Sequence, residues 1–521
     1  MSKNIAKATG LILVINMIVK LSGLLRETAI ANSFGATGVT DAYLVAYTLP
    51  YFLQSVLGSA LVTVVVPILT KYWLEGSEEE ASLVGSSLIN GVGILLAGLT
   101  VLGILVAPGL VHLTAPDLPA ENFTLAVQLT RIMFPAVIFM GVGMVITGIT
   151  NSRFNFALGA AASGVSNIII IIGACFFTSA GIVGLAWATL ISFVGFLLIQ
   201  IPALKKVGFR YQLVLRWNHP AVKQVLKEIM PIFLGVAVNQ IYFAINRIFA
   251  SGLAEGSITI LNYASKLMNL PIGIFVAAVA SAIYPALSEN AIEKNQKSLA
   301  ETMKKGMSLI FLVAVPAAVG LIVLRVPIVQ LLFERGSFLP DDTQATAFAL
   351  LFFCIGLVPV AVNMVLTRAY YAMNDVKRPV ILGLLSIVVN VIFSFILIEP
   401  LAHGGLALAN SLAALFNTCL LYIGLLKKVP DLRKTGVLHS LGKMIIAALI
   451  MGVAVYFGNR LLGHIGGAGT LWLALRVFLA IGLGCLVYVL AALVLKVNEL
   501  YDLWEMIRKK VVKRLTKTAR E

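Results

Sequence analysis

Charged residues are scarce in this chain of 521 residues: Asp, Glu, Lys and Arg make up only 12% of it. Soluble domains carry roughly 25%, so the composition excludes an ordinary water-soluble protein. No G-x-x-x-x-G-K-[ST] loop occurs, which excludes ATP hydrolysis in the P-loop manner. The five His and four Cys residues form neither H-E-x-x-H nor C-x-x-C spacing, so no metal site and no disulfide are predicted.

What fills the chain is apolar sequence, since 60% of its residues are hydrophobic and the mean hydropathy is +0.98. Apolar runs of spanning length recur from end to end, and we count about fourteen of them at the ~20 residues that a bilayer requires. They do not alternate as barrel strands would. Two consecutive runs start near residues 379 and 404. The sequence therefore predicts an all-α integral membrane protein with about fourteen transmembrane helices, the first of them retained and not a cleaved signal peptide.

The basic residues are distributed unevenly along the predicted topology. If the N-terminus lies inside the cell, both tails and the connections on that side hold 29 of the 39 Lys and Arg residues. This positive-inside bias predicts that both termini are cytoplasmic. It also explains the net charge of +16 through topology and anionic lipid, so nucleic acid is not an expected partner.

The sequence repeats itself at an offset of about 221 residues. Three positions of the first half recur in the second: Arg26, Gly35 and Pro50 correspond to Arg247, Gly256 and Pro271. The offset spans an even number of helices, which predicts two parallel-repeat six-helix bundles around a central cavity. The predicted parts are two bundles, two additional helices and a cytoplasmic amphipathic basic tail, covering 1–216, 217–430, 431–497 and 498–521 respectively.

Charged residues inside the apolar runs are the strongest functional signal, because each costs about 2.5 to 3.5 kcal/mol on insertion scales. Lys20, Arg26 and Glu27 lie in the first run and Lys266 lies in the eighth. Three of the four are cations, which indicates an anionic ligand. A second interpretation stays open: Lys20 and Glu27, seven residues apart, share a helix face and would neutralise each other. Lys20 and Arg26 are about 120° apart around a straight helix.

Asp41 lies at the start of the second predicted helix. It either caps that helix or pairs with Arg26.

Several motifs carry a resemblance to a known family. Ser22-Gly23-Leu24-Leu25-Arg26-Glu27, Phe34-Gly35-Ala36, Thr40-Asp41-Ala42-Tyr43, Asn239-Gln240, Tyr263-Ala264-Ser265-Lys266 and Gly336-Ser337-Phe338 are similar to the corresponding parts of MurJ-type lipid II flippases, in a superfamily that also holds polysaccharide-lipid flippases and drug exporters. The resemblance covers essentially the whole chain.

The resemblance implies a bacterial inner-membrane transporter, not an enzyme, that moves undecaprenyl-pyrophosphate-linked peptidoglycan precursor from the cytoplasmic to the periplasmic leaflet by alternating access. Arg26, Lys20 and Lys266 would then bind the pyrophosphate, and the last two helices would form a groove for the lipid tail. Supporting residues would be Asp41, Glu27, Gln54, Arg247, Asn239 and Gln240. Lys20 and Lys266 stand where arginine is common in the family, and Gln54 stands where some members have arginine.

The same resemblance implies membrane lipids and the cell-wall synthesis machinery as partners, a functional monomer, and no cofactor or metal. The energy source is an ion gradient, the membrane potential or consumption of the product. Two other functions stay open: a flippase for another polyprenyl-diphosphate-linked oligosaccharide, and a drug or cation exporter. A membrane-embedded glycosyltransferase would need an outward-facing carboxylate, and the loop acids form no recognisable constellation.

Overall fold

The structure is a computed structural model that describes residues 2–465, 467, 469–497 and 499–500. Side chains are described for the same residues apart from 2–13, 54, 178 and 231–243. Within these residues every regular element is a helix, which confirms the predicted all-α class. Residues 501–521, most of the predicted basic tail, lie outside the described residues.

The chain forms two compact units. The first comprises residues up to Ile260 together with Phe333–Asp342, and the second comprises Leu261–Leu332 and the residues from Thr343 onward. The sequence predicted a division at 216/217, and the limits of the predicted repeats stay a prediction.

Ten helices begin and end within the first unit. They are α1 (Ser2–Phe34), α2 (Gly38–Leu74), α3 (Glu78–Leu105), α4 (Ala107–Thr114), α5 (Ala120–Met133), α6 (Ala136–Ser152), α7 (Ala157–Phe176), α8 (Gly181–Leu198), α9 (Ile201–Lys206) and α10 (Pro220–Ser251). A 3₁₀ turn, Thr178–Ala180, precedes α8.

The remaining helices lie mostly in the second unit. They are α11 (Ser257–Pro271), α12 (Ala277–Ile292), α13 (Gln296–Val323), α14 (Arg325–Phe333), α15 (Pro340–Ala372), α16 (Lys377–Lys428), α17 (Val437–Ile465) and α18 (Thr470–Val494). A π-helical turn, Ile272–Val276, joins α11 to α12, and a 3₁₀ turn, Pro430–Thr435, precedes α17.

Among the described residues, ten helices are long and apolar enough to cross a membrane, or eleven if α5 and α6, bent by 42°, form one span. That number leaves out α1 and α10 and takes the 52-residue α16 once. Ala402, with φ 46° and ψ −125°, breaks α16 between the predicted spans that start near 379 and 404. The multi-span membrane fold is confirmed, and the number fourteen stays a prediction.

Local sequence explains where several helices begin. Three acidic residues, Glu78, Glu79 and Glu80, occupy the first turn of α3, where the positive end of the helix dipole stabilises them. His219 caps α10 by accepting from the Ala221 N–H at 3.2 Å, and Pro220 follows at the first helical position. Proline is favoured there because that N–H has no intrahelical partner.

The internal repeat is visible in the backbone. Gly35 after α1 and Gly256 after α10 are repeat-related positions, and both have positive φ, at 65° and 87°. Phe154 and Asn374, which are separated by nearly the same offset, have φ of 59° and 57°. Left-handed backbone is uncommon for a residue such as Phe, so its recurrence in the second half supports the correspondence between the halves.

An extended segment connects α9 to α10 and lies along α3. We call residues 208–219 the linker strap. Its backbone N–H groups at Arg210 and Gln212 donate to the hydroxyls of Ser82 and Ser86, at 3.3 and 3.0 Å. Asn90 donates to the carbonyls of Gln212 and Val214 at 3.2 and 2.8 Å. Polar side chains of α3 therefore satisfy backbone groups that a partner strand would satisfy in a sheet.

Apolar packing also fixes the linker strap. Phe209 is buried in a cluster with Trp73, Leu88, Ile149 and other residues of the first unit. The absence of a side chain at Gly85 makes room for this ring, because a Cβ there would lie 2.6 Å from the Phe209 ring. The linker strap is thus part of the core of the first unit.

The last two helices pack within the second unit. α17 contacts both α18 and α13. Small residues permit these approaches: a Cβ on Gly452 would lie 2.8 Å from the Val319 side chain, and one on Gly484 would lie 2.9 Å from that of Val455. Close backbone approach at small residues is a common way for helices to associate in membranes. The predicted lipid-tail groove at these helices stays a prediction.

Candidate substrate-binding site

Arg26 is the centre of a polar cluster inside the first unit. Its guanidinium donates to the Glu27 carboxylate at 2.6 Å, to the Asn167 amide oxygen at 3.3 Å and to the Tyr47 hydroxyl at 3.5 Å. The Arg26 side chain keeps 14% of its surface exposed, whereas Glu27 keeps 3%. The Arg26 cation is therefore partly accessible to solvent, whereas the carboxylate of Glu27 is buried.

The pairing of Arg26 with Glu27 corrects one expectation. The sequence suggested Lys20 as a partner for Glu27, because residues seven apart share a helix face. In the structure the long Arg26 side chain reaches its chain neighbour, while Lys20 is exposed. Adjacent positions on a helix do not face each other, so helical periodicity alone would not find this pair.

Neighbouring groups hold Arg26 in place. Asn167 is buried on α7 and donates to the Ser22 hydroxyl at 3.0 Å and to the Val19 carbonyl at 3.3 Å. Tyr47 places its ring 5.6 Å from the guanidinium carbon, within the range of a cation–π contact. The guanidinium is therefore oriented by α2 and α7 as well as by its own helix.

The Tyr47 ring belongs to a stack along α2. Tyr43, Tyr47 and Tyr51 follow one another with ring centroids 6.1 and 5.6 Å apart. The Tyr43 hydroxyl is hydrogen-bonded to the Thr189 hydroxyl at 2.9 Å. Tyr51, at the far end, is 45% exposed. The stack therefore has a buried end at Tyr43 and an exposed end at Tyr51.

Asp41 caps the start of α11, a helix that comes much later in the chain. Its carboxylate accepts from the Gly256 N–H at 2.7 Å, the Thr259 N–H at 2.8 Å and the Thr259 hydroxyl at 2.6 Å. Asp41 is only 4% exposed. The sequence suggested that Asp41 caps its own helix or pairs with Arg26. Instead it supplies the anion that the positive end of α11 favours.

Arg247 lies beside the same cluster. It is half-buried on α10 and donates to the Leu44 carbonyl of α2. The negative charges of Asp41 and Glu27 both act on it. Two cations, Arg26 and Arg247, therefore lie near the two buried carboxylates Glu27 and Asp41.

Tight backbone contacts fix the turn that carries the Asp41 donors. Gly256 has φ 87°, and a Cβ there would lie 2.2 Å from the Ala36 carbonyl oxygen. Gly336 approaches Asn32 as closely, and the Ser337 N–H donates to the Asn32 carbonyl at 2.8 Å. Three connections of the first unit, after α1, α10 and α14, are therefore locked together at one end of it.

The other predicted site residues have different outcomes. Lys266 is exposed on α11 in the part of the helix that belongs to the second unit. The side chains of Gln54, Asn239 and Gln240 lie outside the described residues. A role for each of these residues in binding stays a prediction, as it does for Lys20.

Among the side chains that the structure describes, no group of three His, Cys, Asp or Glu residues is arranged to hold a metal ion. That the chain works without a metal stays a prediction. The groups of the Arg26 cluster are suited to anion binding, hydrogen bonding and charge pairing.

Comparison with known proteins identifies the family. The model of the family described as lipid II flippase MurJ matches residues 30–497. The chain belongs to the MurJ family. It is 31% identical over 447 residues to the lipid II flippase MurJ of Burkholderia cenocepacia, covering 84% of this chain and 86% of that protein. It is 30% identical to the probable lipid II flippase MurJ of Vibrio cholerae, covering 95% and 97%.

Solved structures agree with this family assignment. A lipid II flippase MurJ in an inward closed conformation is 26% identical, with a TM-score of 0.77, and the match covers 92% of this chain and 98% of that one. An inward-facing MATE multidrug transporter of the MOP superfamily is 18% identical, with a TM-score of 0.67 over 81% of this chain and 99% of that one. The MATE likeness shows a shared fold. MurJ membership and the apolar helices make this chain a multi-pass protein of the bacterial inner membrane.

Sequence reasoning missed three residues of the site: Tyr47, Asn167 and Thr259. A signal existed for two of them. Tyr43, Tyr47 and Tyr51 recur every four residues and so share a helix face, and Asn167 is an amide that directly precedes the apolar run Ile168–Ile172. Buried amides in membrane helices usually have a hydrogen-bond partner. Nothing in the local sequence marks Thr259 as a partner of Asp41.

Proposed function

We propose that this chain moves lipid II, the lipid-linked precursor of peptidoglycan, from the cytoplasmic to the periplasmic leaflet by alternating access. The observation that carries the proposal is the Arg26 cluster: an oriented, partly exposed guanidinium inside an apolar helix. It lies in a chain whose similarity to MurJ relatives extends over 84 to 95% of its length. Those relatives are named as lipid II flippases or probable ones.

The chemistry of the cluster suits a diphosphate. Arginine donates to phosphate oxygens through two parallel N–H groups, and the Tyr47 hydroxyl is a further donor beside it. Glu27 occupies one side of the guanidinium. A diphosphate that approaches from the exposed side would either share the Arg26 guanidinium with Glu27 or displace Glu27 from it. Binding would thereby compensate headgroup charge that is costly at membrane depth.

The roles of the remaining residues follow from their positions. Lys20 on α1 and Lys266 on α11 are exposed cations, and we propose both as further phosphate contacts. Lysine binds phosphate as a point charge without the bidentate fork of arginine. Asp41 and Arg247 act as supporting residues, because they fix the start of α11 and the contact between α10 and α2.

We propose that this transporter performs no covalent chemistry and needs no cofactor or metal. We expect both termini to be cytoplasmic, on the strength of the positive-inside bias. We also expect the chain to function as a monomer among membrane lipids, with the cell-wall synthesis machinery as a partner. An ion gradient, the membrane potential or consumption of the product would supply the energy.

The experiment that tests the proposal uses a bacterium depleted of its own lipid II flippase. The full chain is expressed there, and the distribution of lipid II between the leaflets is measured. We expect restored export with the unaltered chain, loss with Arg26→Ala, and partial recovery with Arg26→Lys. Lys71→Gln, at a side chain that is 74% exposed, serves as a control that also removes one positive charge and should export normally.

Two results would overturn the proposal. The first is an unchanged lipid II distribution accompanied by accumulation of a different lipid-linked sugar on the inner leaflet, which would favour a flippase for another polyprenyl-diphosphate glycan. The second is normal export by Arg26→Ala with normal protein amounts, which would remove the cluster from the mechanism.

A further inference from the structure

A groove of about 680 Å³ lies on the first unit where α4, α5 and α8 meet. Apolar and aromatic side chains form most of its wall. The apolar and aromatic lining residues include Phe123, Trp187, Leu190 and Pro135. The groove shares no residue with the Arg26 cluster. Its volume is within the range of about 300 to 1,000 Å³ of sites that bind small molecules.

One polar stripe runs along the groove. Thr124, Gln128 and Arg131 line it and are all exposed. Their spacing of i, i+4 and i+7 places them on the same face of α5. The lining residues include no Asp or Glu, and within the described part of the chain no carboxylate forms an ion pair with Arg131. The wall of the groove is therefore mainly apolar, with one cation and two hydrogen-bonding side chains.

Arg131 lies in the last turn of α5. It is eleven residues after Ala120, the start of α5, which is about 16 Å at 1.5 Å per residue. Side chains of a helix point back towards its N-terminus, so the guanidinium is directed along the groove towards Gln128 and Thr124. When α5 and α6 form one bent span, an uncompensated cation within it costs up to about 2.5 to 3.5 kcal/mol on insertion scales. An anion that enters the groove from the membrane would offset this cost.

The walls favour a ligand with a hydrocarbon chain. Trp187 is 51% exposed and stands opposite the polar stripe on α8. Indole rings are common where a membrane protein meets lipid headgroups, because one edge is polar and the rest apolar. Leu190 and Pro135 continue the apolar surface. A free inorganic anion would use the cation and leave this surface uncovered.

We propose that the groove, here called the Arg131 groove, binds an anionic phospholipid of the membrane. Its phosphate accepts hydrogen bonds from the Arg131 guanidinium, and the Gln128 amide donates to the headgroup. The Thr124 hydroxyl, which donates to the Ala120 carbonyl at 2.9 Å, accepts a hydrogen bond from a headgroup hydroxyl. One acyl chain lies against Trp187 and Leu190. The groove shares no residue with the Arg26 cluster, and a resident lipid would occupy it.

The test measures lipid binding to the purified full chain by native mass spectrometry. Phosphatidylglycerol is the probe, and phosphatidylcholine with the same acyl chains is the comparison, since its choline cation competes with Arg131 for the phosphate. We expect one tightly held phosphatidylglycerol. Arg131→Gln should weaken its binding by at least about tenfold, as expected for the loss of charge-assisted hydrogen bonds. Gln128→Glu, which places a carboxylate beside Arg131, should weaken it similarly.

The control is Lys71→Gln, which removes the same charge from an exposed site outside the groove and should bind phosphatidylglycerol as the unaltered chain does. Thermal stability is recorded for each variant, so that a loss of binding is not confused with unfolding. Equal binding by Arg131→Gln and the unaltered chain would overturn the proposal. So would displacement of phosphatidylglycerol by excess inorganic phosphate, because that result assigns the site to a free anion, and so would equal affinity for the two phospholipids.

Discussion

The contact between Asp41 and the start of α11 offers the sharpest test of the site's construction. The three hydrogen bonds to Asp41, between 2.6 and 2.8 Å, join the start of α2 to a helix that is distant in the chain. In Asp41→Asn one side-chain oxygen remains for the Thr259 donors. The new amide group faces the Gly256 N–H, so that two donors oppose each other.

The expected cost can be estimated from this geometry. Losing one hydrogen bond to a charged acceptor costs about 1.5 to 3 kcal/mol. Removing the negative charge from the positive end of α11 costs about 0.5 to 1 kcal/mol more. We therefore expect Asp41→Asn to lower the free energy of unfolding by about 2 to 4 kcal/mol. Thr259→Val keeps both backbone donors and loses only the hydroxyl, so we expect about 1 kcal/mol for it.

The assay is reversible unfolding of the purified full chain in mixed detergent micelles. Asp342→Asn is the matched control, because the Asp342 carboxylate also accepts backbone N–H groups near the start of α15, that of Leu339 at 2.9 Å and that of Ala36. Asp342 is half-buried and its Leu339 contact is exposed, so Asp342→Asn should cost less than Asp41→Asn. The double variant Asp41→Asn with Thr259→Val should lose less than the sum of the single losses, because the residues share one network.

One result would refute this reasoning. It is that Asp41→Asn and Asp342→Asn lower the free energy of unfolding by the same amount, within the ~0.5 kcal/mol to which independent effects add. In that case the burial of Asp41 and the convergence of three donors on it add nothing to the stability of the chain. The start of α11 would then be held by packing alone.

Three further predictions concern other parts of the fold. Gly256→Ala should destabilise the chain by more than about 1 kcal/mol in the same assay, because it forces a side chain into left-handed backbone against the Ala36 carbonyl. Asn90→Ala should release the linker strap, seen as faster backbone hydrogen exchange at 210–216, while exchange in α18 stays unchanged. Lys428 holds the pKa of Asp375, in the connection between α15 and α16, below its usual range. The stabilisation by Asp375 should therefore be present above about pH 4, the ordinary carboxyl pKa, and disappear as pH falls through the lowered value; Asp375→Asn should match the unaltered chain in acid and be less stable at neutral pH.

Helices and their membrane setting were predictable because both depend on local sequence. Apolar runs of spanning length leave helices as the only structure that satisfies the backbone within each segment, and the described chain is helical as expected. The broken helix at Ala402 was also anticipated as two runs. The internal repeat was readable for the same reason, and the paired φ values of Gly35 and Gly256 now support it.

The candidate site was predictable only in part. The cation at Arg26 was visible because a charge in an apolar run is anomalous wherever its helix packs. Its partners were not, since Asn167 is 141 residues away and Glu27 is on an adjacent position that helical geometry turns away. Asp41 was recognised as a cap, but for the wrong helix, because any helix start that approaches a carboxylate can use it.

Local sequence is enough to predict the class of the protein: helical, membrane-embedded, duplicated, and with cations inside its apolar runs. These properties follow from composition and from periodicities of a few residues, which act before the chain has packed. Packing determines which helix Asp41 stabilises and how the serine face of α3 holds the linker strap, because those atoms are far apart in the chain. It also determines the ion pair of Arg26 with its neighbour Glu27, since adjacent positions on a helix do not face each other.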